Sequence, residues 1–288
     1  MGIIPQIIAN SIIAGAIYAL IALGFNLIYR TTKFFNLAHG ALTVVGGYAM
    51  FFLYKELGWN VYASAVLAIV FAGFVGYILD KAIFRQLRLR KASQMVFLVA
   101  SLGLLTVIQA IIAILFTSQF QTLANNSTES RVYTIAGGII TQTQAIILIC
   151  GIVVLALLTL MLKKTMFGRA VNAVSDDEEV SKMVGIHTDK IIGWVFFIGS
   201  AIAGLSGILV GFDTGLEPTM GMHLLLKGVI AAIIGGVGTM HGAFAGAFLL
   251  GFAENFGVWQ FSGEWKDAIA FIILIIFLLF RPQGIFKK

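Results

Sequence analysis

From Gln6 to Arg281 the sequence is a succession of apolar runs broken by brief polar turns. Most runs are as long as the roughly 18 residues that mark a transmembrane helix. Inside a bilayer such a chain must satisfy its own backbone groups, which leaves helices or a closed barrel. The runs are too long for barrel strands and show no period of two. Only 11% of residues are charged, against about 25% in soluble domains. The expected fold class is an all-α polytopic membrane protein with about eight or nine transmembrane helices. No soluble domain or linker interrupts residues 1–288, so one transmembrane domain is expected.

The spans are read as 6–29, 37–54, 61–80, 94–116, 144–162, 190–211, 223–238, 242–257 and 266–281. The second, seventh and eighth are short, and short apolar segments can be re-entrant. Residues 223–257 therefore either cross twice or dip in and return. Lys and Arg crowd alternate turns: Arg30 and Lys33, the five from Lys81 to Lys91, five between 163 and 190, and Arg281, Lys287 and Lys288. The other turns hold Lys55, Arg131 and Lys266, and Lys227 lies inside a span. The positive-inside bias then puts the 163–190 loop and the C-terminus in the cytoplasm and the N-terminus outside. The first span lacks a basic leader and is long enough to cross, so it is not expected to be a cleavable signal. Because the net charge of +6 sits at span ends, it is no sign of nucleic-acid binding.

The 32 glycines point to close helix packing. Gly199, Ala203, Gly207 and Gly211 give the sixth span one small-residue face, and Gly238, Gly242 and Gly246 repeat the spacing. Cys150 stands alone in an apolar run, which excludes a disulfide framework or a cysteine metal site. The outer stretch 117–143 reads as an ordinary polar loop, although Asn125-Asn126-Ser127-Thr128 matches two glycosylation sequons. Ala38-His39-Gly40-Ala41 and Met240-His241-Gly242-Ala243 echo each other at two span starts, a likeness short enough for chance.

Lys163 to Lys190 is the one long, highly charged segment. It reads as helix–turn–helix. Ser175 is expected to cap a short helix, with Asp176, Asp177 and Glu178 in its first turn and Ser175/Glu178 as a capping box. Val180, Met183 and Val184 then share an apolar face, and Gly185 is the expected stop. A helix floating on lipid headgroups is the bland alternative. Consecutive acids disfavour an anionic bilayer surface, so a protein partner is the better reading.

Gly168-Arg169-Ala170, Ala173, Asp177 and Gly185-Ile186-His187-Thr188-Asp189 resemble the cytoplasmic coupling loop of permease subunits of branched-chain amino-acid ABC importers. Ile17-Tyr18-Ala19-Leu20-Ile21-Ala22-Leu23-Gly24, Asn36-Leu37-Ala38-His39-Gly40, Pro218-Thr219-Met220-Gly221, Leu226-Lys227-Gly228, Gly235-Gly236-Val237-Gly238 and Arg281-Pro282-Gln283-Gly284 follow in the family's order. The likeness covers nearly the whole chain and is strongest to the shorter, H-type subunit. Ser181 departs from the usual alanine, a small-for-small change. The resemblance implies a permease that is not itself an enzyme. It would bind no cofactor, ATP and magnesium being held by two partner ATPase subunits. A second permease, expected to be a different chain, and an extracytoplasmic binding protein complete the implied assembly in the inner membrane. The implied ATPase-coupling residues are Gly168, Arg169, Ala170, Ala173, Asp176, Asp177, Glu178, Val180, Met183, Gly185 and Ile186. Glu129, Asp213 and Glu217 are available for binding-protein docking, or form a solvated rim.

Polar groups within spans default to functional candidates. Asn36, His39, Gln109, Lys227 and Glu254 are the pathway candidates, with Asn26 and Asn255 also within spans. Asn36 could instead cap span two. Lys227 could snorkel, pair with Glu254 or meet a substrate carboxylate, and Glu254 is expected to meet interfacial water. The substrate reads as hydrophobic amino acids, with urea, short amides or another amino acid as alternatives. An ion-coupled carrier would need more buried ionisable groups. An intramembrane enzyme would need a cluster, and the four histidines are scattered without metal spacing such as HExxH. No metal site is expected, and the chain contains no Walker A sequence.

Overall fold

The computed structural model describes residues 3–124, 132–135 and 137–286. Its helices are α1 (Ile3–Thr32), α2 (Ala38–Phe51), α3 (Val61–Leu79), α4 (Arg85–Leu89), α5 (Gln94–Phe116), α6 (Gln142–Lys164), α7 (Met166–Asp176), α8 (Glu178–Met183), α9 (Thr188–Asp213), α10 (Met220–Gly235), α11 (Met240–Gln260) and α12 (Lys266–Phe280). A π-turn at Phe52–Glu56 lengthens α2, and another at Asp80–Phe84 joins α3 to α4. Each expected span coincides with a helix. Among the described residues, five helical stretches are long and apolar enough to cross a membrane alone: α1, α3 with α4, α5, α6 and α9.

Helices α10 and α11 pass that test only together, as a pair bent by 116°. Their turn belongs to the end of the molecule that holds Arg30 and the C-terminus, here called the basic end. Asn26 donates from Nδ2 to the Thr239 carbonyl at 2.8 Å, and the Gly238 amide donates back to Asn26 Oδ1. The C-terminal segment returns to the same turn: Ile285 N–H donates to Ile234 O at 2.9 Å and Phe286 N–H to Gly235 O at 3.1 Å. At the far end, α10 follows the Leu216 backbone, which pairs with Gln121, and α11 runs on to meet Ser11 and Gly15 of α1. The two helices thus form one sharply bent pair whose turn lies at the basic end.

Helices α1 and α9 form the centre, ringed by α2, α3, α6, α10 and α11. The small-residue face expected on α9 is where this happens. A Cβ on Gly204 would press on Ala72 of α3, one on Gly207 would strike the Thr43 carbonyl of α2, and one on Gly199 would meet Ile28 and the Gly24 carbonyl of α1. Such backbone approach is how helices associate where lipid offers no hydrophobic drive. The 33–37 segment packs inward, with Phe34 stacked on Phe97 at 4.6 Å and the Leu37 amide donating to Ser101 Oγ at 3.1 Å. Asp80, buried in its π-turn, takes two bonds from Arg88, at 2.7 and 3.3 Å.

The described part of the 117–143 stretch is not uniformly irregular. β1 (Val132–Ile135) and β2 (Gly138–Thr141) pair antiparallel, with Tyr133 opposite Ile140. Gly137, at φ +86°, makes the reversal. Gln6 of α1 bonds both the amide and the carbonyl of Ile139, at 2.8 and 3.1 Å, which ties the hairpin to the bundle. Glu129 and the Asn125–Thr128 sequons lie outside the described residues.

Candidate functional site

At the basic end α7 and α8 stand on the bundle as two short helices. Thr165 caps α7, its hydroxyl accepting from the Gly168 amide at 2.9 Å. Gly168 is buried where a Cβ would collide with the Met161 carbonyl, so only glycine lets α7 fold back on the end of α6. Val171 and Val174 enter the core beside Ile192 and Val195 of α9. Ala170 and Ala173 are half-buried and Arg169 is exposed.

The expected cap at Ser175 is corrected. Ser175 is a buried residue of α7 whose hydroxyl accepts from Arg30 Nε at 3.3 Å. Helix α7 runs on through Asp176, and the chain breaks at Asp177, extended at φ −151° and ψ 116°. The Asp177 carboxylate caps α8 instead, accepting from Glu179 N at 2.8 Å and Val180 N at 3.0 Å. Glu178 closes no capping box; it pairs with Lys182 at 2.7 Å, one turn on. Either residue can cap, and the neighbour that buried Ser175 decided between them.

The expected stop at Gly185 is present. Its φ is +85°, its amide donates to Lys182 O and the Ile186 amide to Ser181 O, a Schellman closure. Ile186 then packs on the core while Ser181 is buried. This leaves Val180, Met183 and Val184 facing outward, 54%, 83% and 71% exposed. The amphipathic face exists, and among the described residues nothing covers it.

The in-span candidates separate into two surroundings. Asn36 is buried, its Oδ1 accepting from Ala38 N at 3.1 Å and its Nδ2 unpaired, so it does help to cap α2. His39 is wholly buried against Gly24 and Phe25 and lines no cavity described here. Lys227 neither snorkels nor stands alone. Its Nζ lies 3.3 Å from Glu254, 3.0 Å from Asp267 and 5.5 Å above the Tyr18 ring. Tyr18 donates to Glu254 Oε2 at 2.6 Å, and Lys266 approaches the same oxygen at 3.8 Å. Glu254 is fully buried, so the expectation of interfacial water is corrected: inside the bundle it meets Tyr18 of α1 and Lys227 of α10. Tyr18, Lys266 and Asp267 were missed as members. A lone tyrosine in an apolar helix was the available signal, and its partner lies 236 residues away.

A cavity of about 420 Å³ opens over this network, walled by Asn10, Gln144, Asp213, His223, Lys227 and Asp267 among others. Asp213, expected at a docking rim, is half-buried in its wall. A second cavity, about 290 Å³, brings Gln109 of α5 together with exposed Glu217. The described residues hold no cluster of metal-ligand type.

Comparison with known proteins follows the same lines. The family model described as "Branched-chain amino acid transport system / permease component" matches residues 7–278. The high-affinity branched-chain amino acid transport system permease protein BraD of Pseudomonas aeruginosa is 30% identical, over 98% of this chain and 95% of that protein. LivH of Escherichia coli, which carries the same description, is 30% identical over 97% of this chain and 94% of its own. A solved structure, PsaBC from Streptococcus pneumoniae in complex with Fab, is 14% identical with a TM-score of 0.53. It covers 95% of this chain and 91% of its own, and at that identity it speaks for the fold alone.

Proposed function

The chain belongs to the family of branched-chain amino acid transport system permease components, and we propose that it forms part of the translocation pathway of an ATP-driven importer for branched-chain and other hydrophobic amino acids. It is a multi-pass membrane transport component. In this reading separate ATPase subunits bind ATP and magnesium and hydrolyse the nucleotide, a second permease completes the pathway, and an extracytoplasmic protein delivers the solute. The basic end faces the cytoplasm, in keeping with its Lys and Arg.

The observation that carries the proposal is the uncovered stripe of Val180, Met183 and Val184. Capped by Asp177 and closed by Gly185, α8 is held as a rigid knob, and its neighbour α7 is keyed into α6 and α9. A push on α8 therefore reaches two membrane helices instead of being lost in a loop. The pathway candidates are Asn36, His39, Gln109, Lys227 and Glu254. Of these, Gln109 and Lys227 reach cavities at the far end, where Asp213 and Glu217 sit ready for the delivering protein.

The test is ATP-driven uptake of labelled leucine by proteoliposomes holding the whole assembly, wild type against Met183→Asp. The wild type should accumulate leucine. The variant should insert normally, because Met183 touches little else, yet lose most of its uptake. Equal uptake would overturn the coupling role of α8. ATP hydrolysis without leucine uptake would redirect the substrate assignment to urea, short amides or another amino acid.

A further inference from the structure

A third cavity, about 280 Å³, lies at the basic end between α1, α6, α7 and the turn that opens α11. Three basic side chains from three helices line it: Arg30, Lys163 and His241. No Asp or Glu is among its described lining residues. Asp176 acts electrostatically on Arg30 from the last turn of α7 without lining the cavity. One Arg30 donor goes to Ser175, out of the five that a guanidinium carries.

The uncharged groups are as informative. Thr159 and Asn172 also line the cavity, and the Thr159 hydroxyl and Asn172 Oδ1 are buried without a hydrogen-bond partner. Buried polar groups are nearly always paired, so a hydroxyl and an amide oxygen beside this cavity are available to a group that enters it. Asn172 is oriented by its Nδ2, which donates to Leu162 O at 3.2 Å, so its oxygen is left to accept. Thr239 gives α11 no side-chain cap, its hydroxyl being spent on Gly236 O at 2.8 Å. The positive end of a long helix therefore adds to the wall.

We propose that this cavity binds a phosphate oxyanion that carries a hydroxyl group nearby. Arg30, Lys163, His241 and the Thr159 hydroxyl would hold the anion, and Asn172 Oδ1 would accept from the hydroxyl. The head group of an anionic glycerophospholipid has this chemistry, and so does inorganic phosphate. The surroundings favour the lipid. On the side of α6 that carries Thr159 and Lys163, Ile149 and Ile152 face the outside, 59% and 52% exposed, an apolar track for acyl chains. Basic pockets between membrane helices at a positively charged face are where anionic head groups settle. The bound group would touch Asn172 and Arg30, and through Ser175 would brace α7, independently of which solute the protein carries.

The test is native mass spectrometry and thermal melting of the purified assembly, titrated with phosphatidylglycerol, phosphatidylcholine or inorganic phosphate. Wild type should retain phosphatidylglycerol in preference to phosphatidylcholine and melt higher with it. Lys163→Gln should weaken that binding about fivefold, the effect of one lysine at a membrane surface. Lys164→Gln, its exposed neighbour outside the cavity, should leave binding unchanged. Arg30→Gln could unseat Ser175 and misfold, so Thr159→Val serves as a second, gentler variant that should also weaken retention. Protection by inorganic phosphate, lost in Lys163→Gln, would support the site with free phosphate as its source. Equal binding to wild type, Lys163→Gln and Lys164→Gln would mean ordinary surrounding lipid and would overturn the proposal. So would no anion binding at all, with Lys163→Gln instead weakening capture of the ATPase subunits.

Discussion

Helices α1 and α9 have a mean hydropathy of 2.1 each over their most apolar windows, while α5 and α6 reach 2.5 and 3.1. Yet those windows are 83% and 72% buried in α1 and α9 against 17% and 22% in α5 and α6. The least apolar helices of the four hold the centre. In water this order would be inverted. In a bilayer, lipid tails are as apolar as leucine, so greasiness gives a helix no reason to seek the core. What selects the core is close backbone contact and polar pairing. The buried residues of α9 include Gly199, Gly204, Gly207, Ser200 and Ser206, and those of α1 include Ser11, Tyr18 and Asn26. In α5, by contrast, Gly103 has nothing within 4 Å of where a Cβ would be.

This contrast can be broken most directly by filling glycines. Gly207→Leu would drive a side chain into the Thr43 carbonyl, and the chain should fail to accumulate in membranes or to give a monodisperse peak in detergent. Gly103→Leu should leave the isolated chain's yield and melting temperature unchanged. Equal damage from both would refute the claim that backbone approach, and not hydropathy, marks the centre.

Next in size is the polar half of the argument. Glu254→Ala strands Lys227 beside Asp267 alone and leaves the Tyr18 hydroxyl without its acceptor. Lys227 keeps Asp267, so the main loss is the buried Tyr18 hydroxyl left without an acceptor, about 1–3 kcal/mol, which should appear as a clear fall in melting temperature. Removing both charges together, as Lys227→Met with Glu254→Met, should recover part of the loss. If the double variant is no better than the single one, the pair is not what holds α10 to α11.

Smaller still is Ser101→Ala on α5, whose hydroxyl meets the 33–37 segment at the Leu37 amide and at the Phe35 carbonyl. It removes the acceptor for the Leu37 amide and should cost about 1 kcal/mol in a denaturation series. Last, Leu157→Ala on the outer face of α6 exchanges one lipid contact for another. Its effect should stay within about 0.5 kcal/mol, and a loss of several times that would place α6 against protein.

Much of this was legible beforehand, for identifiable reasons. Helix-length apolar runs can only be helices in lipid, so each expected span matched a helix within a few residues. Gly185 was legible as a stop because few other residues accept a positive φ. The cap at Asp177 was not, since Ser175, Asp176 and Asp177 are all competent and only the packing of Ser175 against Arg30 removes it from the contest. Glu254 misled for a similar reason. Its place near the end of a span suggested water, but depth in a bundle depends on helix tilt, and the 116° bend between α10 and α11 has no local signal.

The sequence by itself determined the class of the protein, the place of its long helices to within a few residues, the charged end and the existence of the short helix with its apolar stripe. These follow from backbone hydrogen bonding in lipid and from periodicities within a few turns, both local properties of the chain. The tertiary structure alone decided which helices lie inside, that Tyr18, Lys227, Glu254 and Asp267 form one network, and that Arg30, Thr159, Lys163 and His241 line one cavity. Those groupings join residues that lie up to hundreds of positions apart. Their energies arise only where helices cross, so no stretch of sequence contains them.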